Sequence, residues 1–156
     1  ITLLAGLLFT GIGFSQSSAE GSATVNAEIV EPISITSSGT LDFGEIAQDA
    51  SAGDVTLTAT NSVSYTNSNM EVAGTTTTVP TFSVSVPSGL TYAVSIPDVT
   101  LTSGTNNMTL TDFTTSLPAS TGASATSFTV GGTLKVGATQ ATGSYTGDVK
   151  VTVSYE

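Results

Sequence analysis

Apolar and polar residues alternate with a period of two through most of the chain, and the pattern is clearest at its two ends. Tyr145, Val149, Val151, Val153 and Tyr155 share one parity, while Asp148, Lys150, Thr152, Ser154 and Glu156 take the other. Such alternation predicts a strand with one buried face. No further sequence follows to form a strand that could cover its open hydrogen-bonding edge, so another partner is expected there. Near the start, Ala23, Val25, Ala27 and Ile29 alternate in the same way, then comes Glu31–Pro32, then Ile33 and Ile35. Proline cannot donate a ladder hydrogen bond, so Pro32 predicts one strand, a break, and another strand.

Between these ends the same period marks Leu41 and Phe43, then Val55, Leu57 and Ala59, then Val63 and Tyr65. Phe82, Val84 and Val86 follow, with a Pro87-Ser88-Gly89 turn and then Leu90, Tyr92, Val94 and Ile96, which predicts a hairpin. Later strands are expected around Val99 and Leu101, around Met108 and Leu110, and from Phe128 and Val130 to Leu134 and Val136. The Thr-rich residues 74–78 read as a connection. No segment carries a persuasive 3.6-residue period. Many short strands with closely spaced turns predict an all-β fold, a two-sheet antiparallel sandwich that is immunoglobulin-like in outline.

Composition narrows the function. Lys135 and Lys150 are the only basic residues against twelve acids, giving a net charge of −10. A phosphate backbone or an anionic lipid surface needs several cations, so nucleic-acid partners are not expected. The sequence has no Cys and no His. Disulfides and thiolate metal sites are therefore excluded, as are Ser-His-Asp and Cys-His nucleophile systems. Asp42 with Glu45 and Asp49 with Asp54 lie in turn-like stretches and read as solvated or turn-capping acids. Calcium would need an oxygen-ligand cluster that the sequence does not show. The Leu41-Asp42-Phe43-Gly44 stretch shares letters with a kinase motif but lacks its companions. Residues 117–122 read as a loop despite a partial likeness to a sortase signal. The Asn107-Met108-Thr109 sequon carries little weight. No enzyme activity, cofactor or small-molecule substrate is expected.

The apolar stretch 1–12, followed by small and polar residues, has the form of a secretory signal peptide without its basic start. It is too short for a bilayer span, which takes about 20 apolar residues. Cleavage is expected after residue 15 or residue 19, leaving residues 20–156 as a single exported domain.

Counting back from Glu156 as the first residue, Tyr155 is penultimate and Gly143 is fourteenth. A glycine and a penultimate tyrosine bracketing an alternating last strand resemble the signature of chaperone–usher pilus subunits. The Leu41-Asp42-Phe43-Gly44 stretch after an alternating first segment, together with residues 126–156, is similar to spore coat protein U-like pilin domains and to a related uncharacterised family of secreted bacterial domains. Such pilins often carry an early cysteine, and this chain has none.

That resemblance implies an incomplete sandwich whose groove is filled by an N-terminal extension from another copy, the mode called donor-strand complementation. Residues 22–30 are the candidate donor strand, with Ala23, Val25, Ala27 and Ile29 facing inward. Gly143, Tyr145, Val149, Val151, Val153 and Tyr155 border the acceptor groove. The expected product is an extracellular fimbria-like fibre, built from copies of this chain or related subunits. By resemblance it would be helped by a periplasmic chaperone and an outer-membrane usher. Two rival readings stand beside it. In one, residues 22–30 are simply the first strand of their own sandwich. In the other, the protein is a self-contained secreted binding, adhesion or coat module.

Overall fold

The computed structural model describes residues 17–156. The apolar leader stretch and the first of its two expected cleavage points lie outside them. Nine strands follow in chain order: β1 (Ser34–Ser38), β2 (Gly53–Leu57), β3 (Val63–Tyr65), β4 (Thr81–Ser85), β5 (Tyr92–Ser95), β6 (Val99–Ser103), β7 (Asn106–Thr115), β8 (Ser127–Val136) and β9 (Thr152–Tyr155). Every ladder is antiparallel. One short 3-10 turn, Ser68–Met70, is the only helical element among the described residues. The fold is all-β, as the alternation predicts.

The large sheet is organised around β8. One edge of β8 is taken by β7. Its other edge is shared in tandem, by β4 against residues 127–129 and by β2 against residues 132–136. The changeover falls at Gly131, where a Cβ atom would sit 2.2 Å from the Leu57 carbonyl oxygen and 2.5 Å from the Thr58 carbonyl carbon. Only a residue without a side chain lets two backbones meet a third this closely. Outside this centre, β1 flanks β4, β3 flanks β2 and β6 flanks β7. β5 and β9 form a separate two-stranded sheet.

Two apolar clusters hold the layers together. The first gathers Phe43, Val55, Leu57, Met70, Val99, Leu110, Leu134 and Val136. The second joins Phe82, Val84, Phe128 and Val130 of the large sheet to Tyr92 of the small one. In it Phe82 and Phe128 lie opposite each other in the β4–β8 ladder and stack at 5.7 Å.

Three expectations need correction. The Pro87-Ser88-Gly89 turn exists, with Leu90 N–H donating to the Pro87 carbonyl at 3.2 Å and Gly89 at φ +86°. However, β4 and β5 do not pair across it as a hairpin. β4 stays in the large sheet and β5 crosses to pair with β9, because Tyr92 fills the second cluster from the opposite layer. A hairpin that the sequence reading treated as separate strands joins β6 to β7 through Gly104 and Thr105. There Gly104, at φ +60°, takes the left-handed conformation that a two-residue turn requires.

The third correction concerns residues 22–30. They form no ladder with the other described residues, and every residue from 17 to 32 is exposed. Among the described residues they make no first strand of their own sandwich. An alternating segment becomes a strand only where it pairs with an edge, and residues 22–30 pair with none among the described residues. The body begins at Ile33, and the first ladder begins with Ser34 opposite Ser85.

Candidate functional site: a groove between the first and last segments

The last segment, residues 143–156, is laid down antiparallel along β6 and then β5. Thr102 and Thr146 exchange backbone hydrogen bonds at 2.9 and 3.1 Å. Further on, Tyr92 pairs with Tyr155, Val94 with Val153 and Ser95 with Thr152. Seven residues separate Ser95 from Thr102 and six separate Thr146 from Thr152. The extra residue sits on the β5–β6 side around Pro97, so the last segment keeps one uninterrupted alternation.

Backbone direction shows which edge is open. Glu156 N–H donates to the Thr91 carbonyl, so even-numbered residues of β9 aim their polar groups at β5. Tyr92 spends its own N–H and C=O on Ala123, on the far side of β5, which gives the same phase. The amides and carbonyls of Val153 and Tyr155 therefore point the other way. Among the described residues no ladder covers that edge.

The opposite wall is the first segment. Among the described residues β1 pairs only with β4, so no ladder covers its other edge either. Ile33 and Ile35 pack against the second cluster, as do Val151 and Val153 from the last segment. Leu41, Ile46 and Val149 pack against the first. No ladder joins the two segments. At one end they meet where the Tyr155 hydroxyl donates to the Glu31 carbonyl. At the other end a cleft of about 560 Å³ opens between Leu41, Phe43 and Ile46 on one side and Gly143 and Tyr145 on the other.

Local chemistry fixes the cleft end. Gly143 has φ +155°, and a Cβ there would lie 2.6 Å from Ser103 Oγ. The Tyr145 hydroxyl donates to the Ala141 carbonyl at 2.7 Å and accepts from Gln140 Nε2 at 2.8 Å. Gln48 Nε2 donates to the Gln140 carbonyl at 2.8 Å, tying the two walls together. Behind the groove, Tyr92 is buried and donates to the Ala125 carbonyl at 2.7 Å. Burial pushes its pKa above the ordinary tyrosine value.

The residues expected at the acceptor groove come together. Tyr145, Val149, Val151, Val153 and Tyr155 are all half-buried and their even-numbered neighbours are exposed. None is fully buried, which leaves a half-covered apolar face. Ala23, Val25, Ala27 and Ile29 are not brought to that face: Val25 is 90% and Ile29 97% exposed. Sequence reasoning missed the wall formed by Ile33, Ile35 and residues 41–48. Their apolar character was visible, but an open edge depends on which strands pair elsewhere.

The acids serve local structure. Asp42 Oδ1 accepts from Gly44 N–H at 2.8 Å, and Asp49 Oδ1 accepts from Ser51 N–H at 2.8 Å. Asp54 pairs with Lys135 at 2.8 Å, and that hydrogen bond is the main cause holding the Lys135 pKa above the ordinary lysine value. Among the described residues no group of three or more acids is placed to hold a metal ion.

No curated protein and no solved structure matches the chain. A sequence-family model does match, over residues 33–155, a span that takes in both walls of the groove and leaves the exposed arm outside. On that match the chain belongs to the family described as Domain of unknown function (DUF4402).

Proposed function

We propose that the protein is a structural subunit of an extracellular fimbria-like fibre, in which the arm of residues 22–30 from one copy fills the groove of another. One observation carries this reading. Val25 and Ile29 stand almost fully exposed on an alternating arm, while the last strand of the same chain has an edge that no ladder covers among the described residues and a half-covered apolar face. Burying these two side chains would stabilise the joint by about 1.5–3 kcal/mol each, with smaller terms from Ala23 and Ala27. The ladder hydrogen bonds of an added strand would come on top. An uncovered apolar edge is otherwise an aggregation hazard that native proteins cover.

The resemblance to chaperone–usher pilins, including the spore coat protein U-like group, supports the same reading through Gly143 and Tyr155. It implies export by way of residues 1–19, a chaperone that guards the groove in transit, and an usher that exchanges it for the next arm.

Deletion of residues 22–30 tests the proposal. The expected variant is a folded subunit that elutes as a monomer in size-exclusion chromatography and forms no filaments in negative-stain microscopy. Filaments at the wild-type yield from the deletion variant would rule the proposal out.

A further inference from the structure

We infer that the arm lies antiparallel against the free edge of β9 in a second copy, in the one register that sets Glu28 opposite Lys150. This rests on the donor-strand reading above and adds the residue-by-residue alignment and the charge pair of the joint.

Charge provides the first constraint. Of the two basic residues in the chain, Lys135 is engaged by Asp54 at 2.8 Å and Asp112 at 3.5 Å. Lys150 is exposed on the outward side of the last segment and forms no ion pair among the described residues. The arm between residues 17 and 31 carries Glu20, Glu28 and Glu31 and no base. Glu28 shares the outward parity of the arm when Ala23, Val25, Ala27 and Ile29 face in.

Antiparallel alignment with Glu28 on Lys150 pairs each inward residue from 23 to 29 with an inward residue of the last segment. It sets Ala23 opposite Tyr155, Val25 opposite Val153, Ala27 opposite Val151 and Ile29 opposite Val149. The smallest inward residue thus meets the bulkiest, and outside, Asn26 faces Thr152 and Thr24 faces Ser154. A two-residue slip one way places Glu28 against Asp148, a like-charge pair that destabilises a ladder. A slip the other way puts Val30 against Lys150 and leaves the cation unpaired.

A parallel alignment that keeps the same charge pair fails on the apolar side. It would place Val25 opposite Gly147 and carry Glu31, inward by parity in either direction, to Val153 in the middle of the apolar face instead of to Gly147 at its end. Burial of an unpaired carboxylate there is unfavourable.

The same register cannot form within one chain. It requires Glu31 beside Gly147, which lies eight residues before Tyr155, roughly 26 Å away along an extended strand. In its own subunit the Glu31 carbonyl is hydrogen-bonded to the Tyr155 hydroxyl, and Ser34 is already fixed opposite Ser85. An arm running in this direction therefore comes from another subunit, and a second copy supplies one.

The open-edge phase makes the register measurable. Odd-numbered residues of β9 offer their backbone groups to the arm, so the even-numbered positions form the non-hydrogen-bonded pairs, whose side chains approach most closely. The chain has no cysteine, so introduced thiols report cleanly. Full-length Asn26→Cys is mixed with a mass-tagged full-length Thr152→Cys in a glutathione buffer, and the mixed disulfide dimer is followed on non-reducing gels. Asn26→Cys against Ser154→Cys, and Thr24→Cys against Thr152→Cys, serve as the two slipped pairs and keep Lys150 in place.

The Asn26→Cys and Thr152→Cys pair is expected to cross-link about tenfold faster than either slipped pair, because a shift of two residues moves the thiols beyond disulfide reach. Glu28→Lys should lower that rate by about threefold, and a Lys150→Glu edge should restore it. Faster cross-linking of a slipped pair would overturn the register and leave the donor-strand reading standing. No cross-link in any of the three pairs would overturn both.

Discussion

Tyr92 and Tyr155 stand directly opposite each other in the β5–β9 ladder, the first fully buried and the second half-buried on the same face. One residue belongs to the interior of the subunit. The other is the rim of a groove that the subunit does not fill, although it shares the ladder and the side-chain type.

Substitutions should separate these two roles. Tyr92→Ala is expected to destabilise the subunit by about 3–5 kcal/mol, as removal of a buried aromatic does. Tyr92→Phe keeps the ring and orphans the Ala125 carbonyl, for a loss of about 1–2 kcal/mol. Tyr155→Ala should cost the monomer less than about 1.5 kcal/mol while impairing assembly. Urea unfolding with an unchanged slope reads all three. Equal losses at the two tyrosines would contradict the half-covered face.

Glycine substitutions probe the points where backbones converge. At Gly131 the new methyl group meets backbone atoms of residues 57–59 within 2.6 Å, and no side chain can move to admit it. Gly131→Ala should therefore cost at least about 3 kcal/mol or prevent folding. At Gly143 the nearest obstacle is the Ser103 hydroxyl, which can rotate, but φ +155° penalises any side chain. Gly143→Ala should cost about 1–3 kcal/mol, and Ser103→Ala should recover little of it, since the backbone term dominates. Full recovery would show that the contact, not the conformation, selects glycine.

Acid stability should depend on Asp49. Its carboxylate accepts from Ser51 N–H, Asn67 Nδ2 at 3.0 Å and Asn69 Nδ2 at 3.1 Å. These bonds, the Ser51 amide foremost, hold its pKa below the ordinary 3.8. A lowered folded-state pKa contributes stability that is present above 3.8 and is lost as pH falls through the folded value. The stability difference between wild type and Asp49→Asn should therefore shrink as pH drops from about 6 to about 2. A difference that stays constant over that range would remove the carboxylate from the acid response.

Much of the fold is legible in the alternation. Val55 and Leu57, Phe82 and Val84, and Phe128, Val130, Leu134 and Val136 are all buried, as their parity predicts. Strand pairing is the part that is not legible. Pro87-Ser88-Gly89 gives a turn signal whether the following strand folds back or crosses to another layer, and the choice is made by where Tyr92 finds space. The groove shows the same limit. The odd-numbered residues of the last segment announce an apolar face, but nothing local to them says that β1 will pair with β4 and leave that face open.

Amide exchange offers a residue-by-residue test of the open edge. In the monomeric subunit Ser154 and Glu156 amides are directed at β5 and should exchange slowly, whereas Val153 and Tyr155 amides face solvent and should exchange fast. On assembly the pattern should change only for the second pair, since an arriving arm bonds to the groups that β5 leaves unused. Two-dimensional NMR of the monomer, followed by exchange quenched from the assembled state, reads both steps. If Val153 and Tyr155 are already protected in the monomer, the edge is occupied from within and the groove is closed. If they remain unprotected after assembly, copies meet through some other surface.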